Sequence, residues 1–217
     1  MKALLGRKIG MSRVFDADGR QRAVTVLQAG PCWVVQRKHT ERDGYEAAQI
    51  GFEPQKPLRL PRALVGHMKA CAAGPFRILR EVPLDEGDDP KPGDEVTVSI
   101  FAKGDWVDVT AVTKGRGFQG VMKRHGMGGQ PDSHGHTMHR RPGSVGMREL
   151  PGHILKNKRM PGHMGRVRVT VQNLEAVDVR PEDHLLLVHG AVPGPVGGLV
   201  LIRRSIKKAP AKAAKQS

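Results

Sequence analysis

Aromatic residues are scarce in this chain: five Phe, two Trp and one Tyr among 217 residues, or 4%. Apolar residues as a whole reach only 38%, below the usual share for a globular domain. A chain of this length can bury a real core in one or two domains. The shortfall therefore points to a part of the chain that lacks a core of its own. Cysteine is nearly absent: Cys32 and Cys71 stand far apart and in no motif. That gives a disulfide framework no support and suits a reducing compartment. No apolar run approaches the length of a membrane-spanning helix. The opening MKALLGRKIGM lacks the apolar stretch of a signal peptide. A soluble intracellular protein with no membrane partner is expected.

Acid is missing most unevenly. Residues 113–168 hold twelve Lys and Arg against only Asp132 and Glu149, a net +10. From Arg203 onward there are six more bases and no acid, a net +6. The whole chain carries +15, so everything else sums to −1. A nearly neutral body with one long basic insertion and one short basic tail suits a folded domain that engages a polyanion.

The body reads as β. Residues 4–15 are mixed apolar and basic, and a turn at Asp16 to Gly19 leads into the β-rich run 23–28. Residues 32–37 and 45–52 flank a hairpin signal at Arg42-Asp43-Gly44. Residues 61–73 have helical composition, with Pro61 at the start and Gly74 past the end. Strands are expected at 76–82, near 96–101 and at 106–113. Pattern then stops: residues 114–164 contain 11 Gly, 4 Pro and 6 of the 9 Met, with no sustained period. A short helix near 118–124 is the one element suggested there. Order resumes at Arg166, where Val167, Val169 and Val171 alternate onto one face, followed by strands at 176–180, 184–189 and 199–203. Many short strands with turn signals argue for a β-barrel or sandwich. An unstructured stretch as long as 114–164 inside a compact domain calls for a functional reason.

Gly115-Arg116-Gly117 and Gly120 fit a dinucleotide-binding pattern, but VMKRHGMGG follows and no acid lies at the distance such a site needs. Glycines beside Lys114, Arg116, Lys123 and Arg124 instead suit close backbone approach to phosphate. His134, His136 and His139 have loop spacing for a metal, yet no fourth ligand completes the set, and Arg140 and Arg141 repel a cation. Imidazoles that stack on bases or bond to phosphate and sugar fit better. Asp16 and Asp18 resemble the start of a calcium loop, but the downstream acid is missing. No nucleophile, base and acid can be grouped for catalysis, so neither enzyme nor cofactor is expected. The methionines of the basic segment can fill irregular gaps against a partner.

Phe101, Asp108, Ala111, Thr113, Gly115, Arg116, Gly117, Gly120 and Arg124 resemble, in identity and spacing, the signature of the bacterial large-subunit ribosomal protein L3 family. The blocks GRKIGMSRVF, HRRPGSVG, KNKRMPGHMGRVRVTVQNL and LLLVHGAVPGP are similar to that family in the same order. The resemblance implies a mainly β fold: a translation-protein-type β-barrel over 1–113 and 166–205, with a small α+β insertion at about 54–95. It implies a long extended basic loop at 114–165 that penetrates rRNA, and it leaves 206–217 as a basic, disordered tail. It further implies a structural constituent of the large ribosomal subunit that supports early assembly. Large-subunit rRNA and neighbouring ribosomal proteins are the implied partners, with no homo-oligomer.

The expected rRNA-binding residues are Lys114, Arg116, Lys123, Arg124, His134, His136, His139, Arg140, Arg141, Arg148, Lys156, Lys158, Arg159, Arg166 and Arg168. The loop tip, reaching toward the peptidyl-transferase region, is expected at Ser144, Val145, Gly146, Met147, Arg148, Glu149 and Leu150. Some bacterial members carry at the tip a Gln methylated on its side-chain amide. The matching residue here is Glu149, whose carboxylate has no amide to methylate, so that modification is not carried over. Arg148 or a bound cation is expected to offset its charge. Two rivals stand beside this reading: a free RNA-binding chaperone or regulator, and an RNA-acting enzyme that uses the histidines.

Overall fold

The computed structural model describes residues 1–16, 18–71, 74–84 and 87–208. It is mainly β, with short helices. In chain order the elements are β1 (Ala3–Phe15), β2 (Gln21–Ala29), β3 (Cys32–Lys38), α1 (Thr40–Asp43), β4 (Ala47–Pro54), α2 (Arg62–His67), β5 (Phe76–Pro83), β6 (Glu95–Val96) and β7 (Trp106–Val112). They continue as β8 (Gly117–Gln119), α3 (Val121–His125), β9 (Gly162–Met164), β10 (Arg168–Arg180), β11 (Leu185–His189) and β12 (Leu199–Arg204). Short 3-10 turns cover Pro57–Arg59, Met68–Ala70 and Val98–Ile100. The chain divides into two compact units: unit 1, Met1–Val112 with everything from Arg168 onward, and unit 2, Thr113–Val167.

Unit 1 is organised by antiparallel pairing that returns on itself in the order β1, β12, β7, β10, β11, β2 and back to β1. Closing the ring leaves none of these six strands with a free edge. Alternation aims one face of each strand inward. Opposed pairs such as Ile202 with Val109 and Leu27 with Leu186 meet there, all four fully buried. A second antiparallel sheet, β5-β4-β3-β6, shares this core through Val34, Ile50 and Phe52. On it pack Met68 and Cys71, against Val35 and Phe76. Phe76 stacks on Trp33 with ring centroids 5.2 Å apart. A Cβ at Gly51 would collide with the Phe76 ring, so only glycine lets that ring lie on the strand. Both cysteines are free and buried. Burial pushes the Cys32 thiol up to about 12, which leaves it protonated and inert.

Several local expectations change. Within 96–101 only Glu95–Val96 pairs as strand, and Val98–Ile100 turns as a 3-10 helix. Polar groups close that turn locally: Thr97 and Ser99 hydroxyls bond at 2.6 Å, and the Ala102 N–H donates to Asp105 at 2.9 Å. The hairpin expected at Arg42 to Gly44 forms, with β3 and β4 paired antiparallel, but its connection carries a one-turn helix, α1, ended by Gly44 at φ +81°. The helix expected over 61–73 is α2 followed by a 3-10 turn; residues 72 and 73 lie outside the described residues. Arg168–Arg180 form one strand, β10, rather than two runs. It bulges at Asn173, φ +57°, whose N–H donates to Asp108 Oδ1 at 3.0 Å. The alternation there is real, yet Val167 and Val169 are exposed.

Unit 2 is not without structure. β8 and β9 pair, with Gly117 opposite Met164 and Phe118 opposite His163. The expected helix begins later than Phe118: Gly120 is extended and serves as the cap of α3, and Phe118 lies in β8. Of the tail, residues 206–208 are described: Lys207 and Lys208 donate backbone N–H groups to Ser205 Oγ, and Lys208 Nζ stands 3.4 Å from the Trp106 ring centroid. Residues 209–217, the rest of the segment expected to be disordered, lie outside the described residues.

Candidate nucleic-acid interface

The basic segment starts and ends at a stem in which two chain stretches run side by side. Thr113 N–H donates to Val167 O at 2.9 Å, Val167 N–H returns to Thr113 Oγ1 at 3.2 Å, and Arg116 N–H donates to Met164 O at 2.9 Å. Gly165, at φ +76°, makes this crossing possible, because a Cβ there would strike the Lys114 carbonyl oxygen. Next to the stem, α3 turns Arg124 and His125 onto one acceptor: Arg124 Nη1 donates to Met160 O at 2.7 Å, and His125 Nε2 lies 3.0 Å from the same oxygen. That ties residue 124 to residue 160 across the base of the segment.

Beyond it, residues 126–161 contain no helix or strand. Local bonds hold the turns: Gln130 N–H to His139 O at 3.0 Å, Ser144 Oγ to Gly146 O at 3.1 Å, and Lys158 N–H to Leu155 O at 3.3 Å. Val121 is the only buried apolar residue of unit 2. Phe118, Met147 and Leu150 are 76%, 73% and 83% exposed. A protein interior does not account for these side chains, and exposed apolar groups in such number suit a partner surface.

Of the fifteen expected rRNA-binding residues, fourteen are exposed and His136 is half-buried. Eleven of the twelve Lys and Arg lie in unit 2, and Arg168 opens β10 in unit 1. Among the described residues none of these twelve forms an ion pair. The one side-chain contact between a nitrogen base and an acid in the segment sets His139 Nδ1 3.5 Å from Asp132 Oδ1. Glu149 is exposed, and the expected offset by Arg148 is not present: the two form no ion pair.

The three histidines do not converge. His136 Nδ1 accepts the Met138 N–H at 3.3 Å, His139 Nδ1 lies 3.0 Å from Pro131 O, and His134 sits at φ +61°. The glycine pattern at 115–120 leads into a five-residue helix, too short for a dinucleotide crossover. Around Gly117 and Gly120 there is open space within 4 Å of a hypothetical Cβ, so the backbone is accessible to a phosphate.

Phe118 and His163, cross-strand neighbours and both exposed, were not among the expected residues. Together they present an aromatic and an imidazole face able to stack on unpaired bases. The signal that could have found Phe118 is that it is the one aromatic residue in a segment without a core. The segment as a whole offers uncompensated positive charge, open backbone and exposed stacking groups, which is the equipment of polyanion binding and not of acid–base chemistry.

The family profile for Ribosomal protein L3 matches residues 93–184. The Large ribosomal subunit protein uL3 of Syntrophotalea carbinolica is 51% identical over 207 residues, covering 95% of this chain and 99% of its own. That of Thermotoga petrophila is 52% identical over 212 residues, covering 98% and 100%. That of Geotalea daltonii is 48% identical over 206 residues, covering 95% and 98%. Similarity at this level over nearly the full length, in the same chain that leaves its basic segment uncompensated, has one reading: the chain belongs to the ribosomal protein L3 family, uL3.

Proposed function

We propose that residues 114–165 are the rRNA-penetrating segment of this large-subunit ribosomal protein, and that the closed ring of unit 1 is a translation-protein-type β-barrel that carries it. As a uL3 protein the chain is a structural, rRNA-binding constituent of the large ribosomal subunit, not an enzyme. Lys114, Arg116, Lys123, Arg124, Arg140, Arg141, Lys156, Lys158 and Arg159 contact phosphates and release counterions. His134, His136 and His139 bond to or stack on exposed nucleotides, and the glycines let the backbone approach. Residues 144–150 form the tip toward the peptidyl-transferase region, and the segment supports early subunit assembly.

The observation that carries this reading is the absence of any ion pair to the twelve bases of 113–168 among the described residues. Bases that no acid of the chain neutralises are available to an external polyanion. Deleting residues 125–162 tests it. Unit 1 should keep its unfolding transition, while affinity for large-subunit rRNA fragments falls by about 10³-fold or more at physiological salt and subunit assembly fails. Unchanged rRNA binding and unchanged assembly would refute the reading.

A further inference from the structure

The ring of unit 1 shields β1 only as far as β12 follows it. Residues 3–7 pair with β12, and Lys8 still exchanges backbone bonds with Gly197 and Gly198 at 2.7 and 3.0 Å. There the register with β2 shifts between Lys8 and Gly10, a bulge of the kind that bends a strand. Residues 9–15 run on with β2 alone beside them, and among the described residues no backbone bond reaches their other edge. This projecting end is firm: Val14 packs against the buried Val24, Val177 and Leu187.

The open edges of the second sheet are blunted. β5, at one end of it, exposes Arg77, Arg80 and Glu81 and closes on Pro83, and β6, at the other end, is two residues long. Charge, proline and brevity are the devices that keep an edge from pairing. Of these, residues 9–15 carry only Arg13; they contain no proline and no acid. Met11, Arg13 and Phe15 share one face of the strand, and Ile9 stands at the bulge before them. Ile9, Met11 and Phe15 are 47%, 55% and 60% exposed. Arg13 is exposed and forms no ion pair among the described residues. The stretch lies in the block GRKIGMSRVF, which the rRNA-binding reading leaves unused.

We propose that residues 9–15 are a docking edge for an extended strand of another protein of the large subunit. That strand adds to β1 through main-chain hydrogen bonds, and its alternate apolar side chains cover Ile9, Met11 and Phe15. An acid on it faces Arg13. Two other occupants fit less well. An RNA backbone is held by bases, and this stretch offers one base among three bare apolar side chains. A second copy of a chain that carries +15 is repelled. A strand of another protein satisfies both the open backbone and the apolar face, and it does so apart from residues 114–165.

Hydrogen exchange on the full chain tests this in three states: free, bound to a protein-free large-subunit rRNA fragment, and in large subunits reconstituted with the full set of proteins. The amides of residues 9–15 that do not pair with β2 should slow by about tenfold or more in the subunit and stay fast in the other two states. A full-length variant with Ile9→Gln, Met11→Gln and Phe15→Gln, all at exposed positions, should keep its unfolding midpoint and the salt slope of its rRNA binding. Its reconstituted subunits should lack one protein or hold it below stoichiometry. A variant with Ile9→Val, Met11→Leu and Phe15→Leu, which keeps the apolar face, should retain that protein. Equal slowing on the rRNA fragment alone would give the edge to RNA and overturn the inference. Fast amides in the subunit, or a full protein complement in the subunits of the Gln variant, would overturn it too. So would a dimer of the free protein in sedimentation that the Gln variant abolishes. The salt slope reads rRNA binding through residues 114–165 separately, so that reading stands or falls on its own.

Discussion

In unit 1, Arg7 meets Glu53, Arg22 meets both Asp16 and Glu175, and Lys38 lies between Asp43 and Glu81. In unit 2 no Lys or Arg has such a partner. The apolar residues divide the same way: unit 1 buries Leu4, Leu27, Leu186 and Ile202 completely, while unit 2 exposes Met147 and Leu150. Exposed ion pairs stabilise little, so the pairing in unit 1 is not what holds it together; its closed sheet and core do that. The difference concerns what the side chains are for. Much of the charge of unit 1 is paired within the unit and its core side chains pack on one another, whereas the bases and most large apolar groups of unit 2 are left for a partner.

The sharpest way to break this comparison is to truncate one apolar residue in each unit. Ile202→Ala should cost about 2–5 kcal/mol in denaturant unfolding, and Leu150→Ala should stay within about 0.5 kcal/mol. A comparable loss at Leu150 would mean that unit 2 has a core. Next in size is Asp108→Ala, which removes the acceptor of the Asn173 N–H from a site where the carboxylate is 1% exposed. A loss of about 1–3 kcal/mol is expected, with the bulge of β10 showing faster amide exchange.

Gly165→Ala should act only on unit 2. Its positive φ and the collision with the Lys114 carbonyl should open the stem, so that the Thr113 and Arg116 amides exchange faster while the unfolding midpoint of unit 1 holds. The smallest effect concerns Glu53, where the hydrogen bond from Arg7 holds the carboxyl below the usual range. A lowered folded value means that this contribution is present above the ordinary glutamate value of about 4.3 and is lost as pH falls through the lower one. Glu53→Gln should therefore flatten the acid limb of the stability curve, with a small loss near neutrality, where the contribution is present, that vanishes at low pH, where it is already gone.

Most of unit 1 was legible in the residues. The apolar runs of β2, β3, β7, β11 and β12 announce themselves, and Asp16 to Gly19 closes the first hairpin as expected, with Gly19 N–H to Asp16 O at 2.9 Å. What was missed is what periodicity does not encode. The Asn173 bulge splits one strand into two apparent runs, because the buried Asp108 that fixes it lies 65 residues away. GFQ and GHM are too short to carry a pattern, so β8 and β9 become visible only when paired. The extent of the basic segment was plain from charge alone. The exposed faces of Phe118 and His163 were not, since an aromatic residue reads as core until its surroundings are known.

The central claim is that the chain leaves the bases of unit 2 uncompensated because RNA compensates them. The most direct measurement is the salt dependence of rRNA-fragment binding by a full-length variant with Arg140, Arg141, Arg148, Lys156, Lys158 and Arg159 all changed to Gln. With about 0.7–0.9 counterions released per neutralised phosphate, the slope of log affinity against log salt should shallow by about four to five, with the unfolding of unit 1 unchanged. A slope equal to that of the unaltered protein would contradict the account.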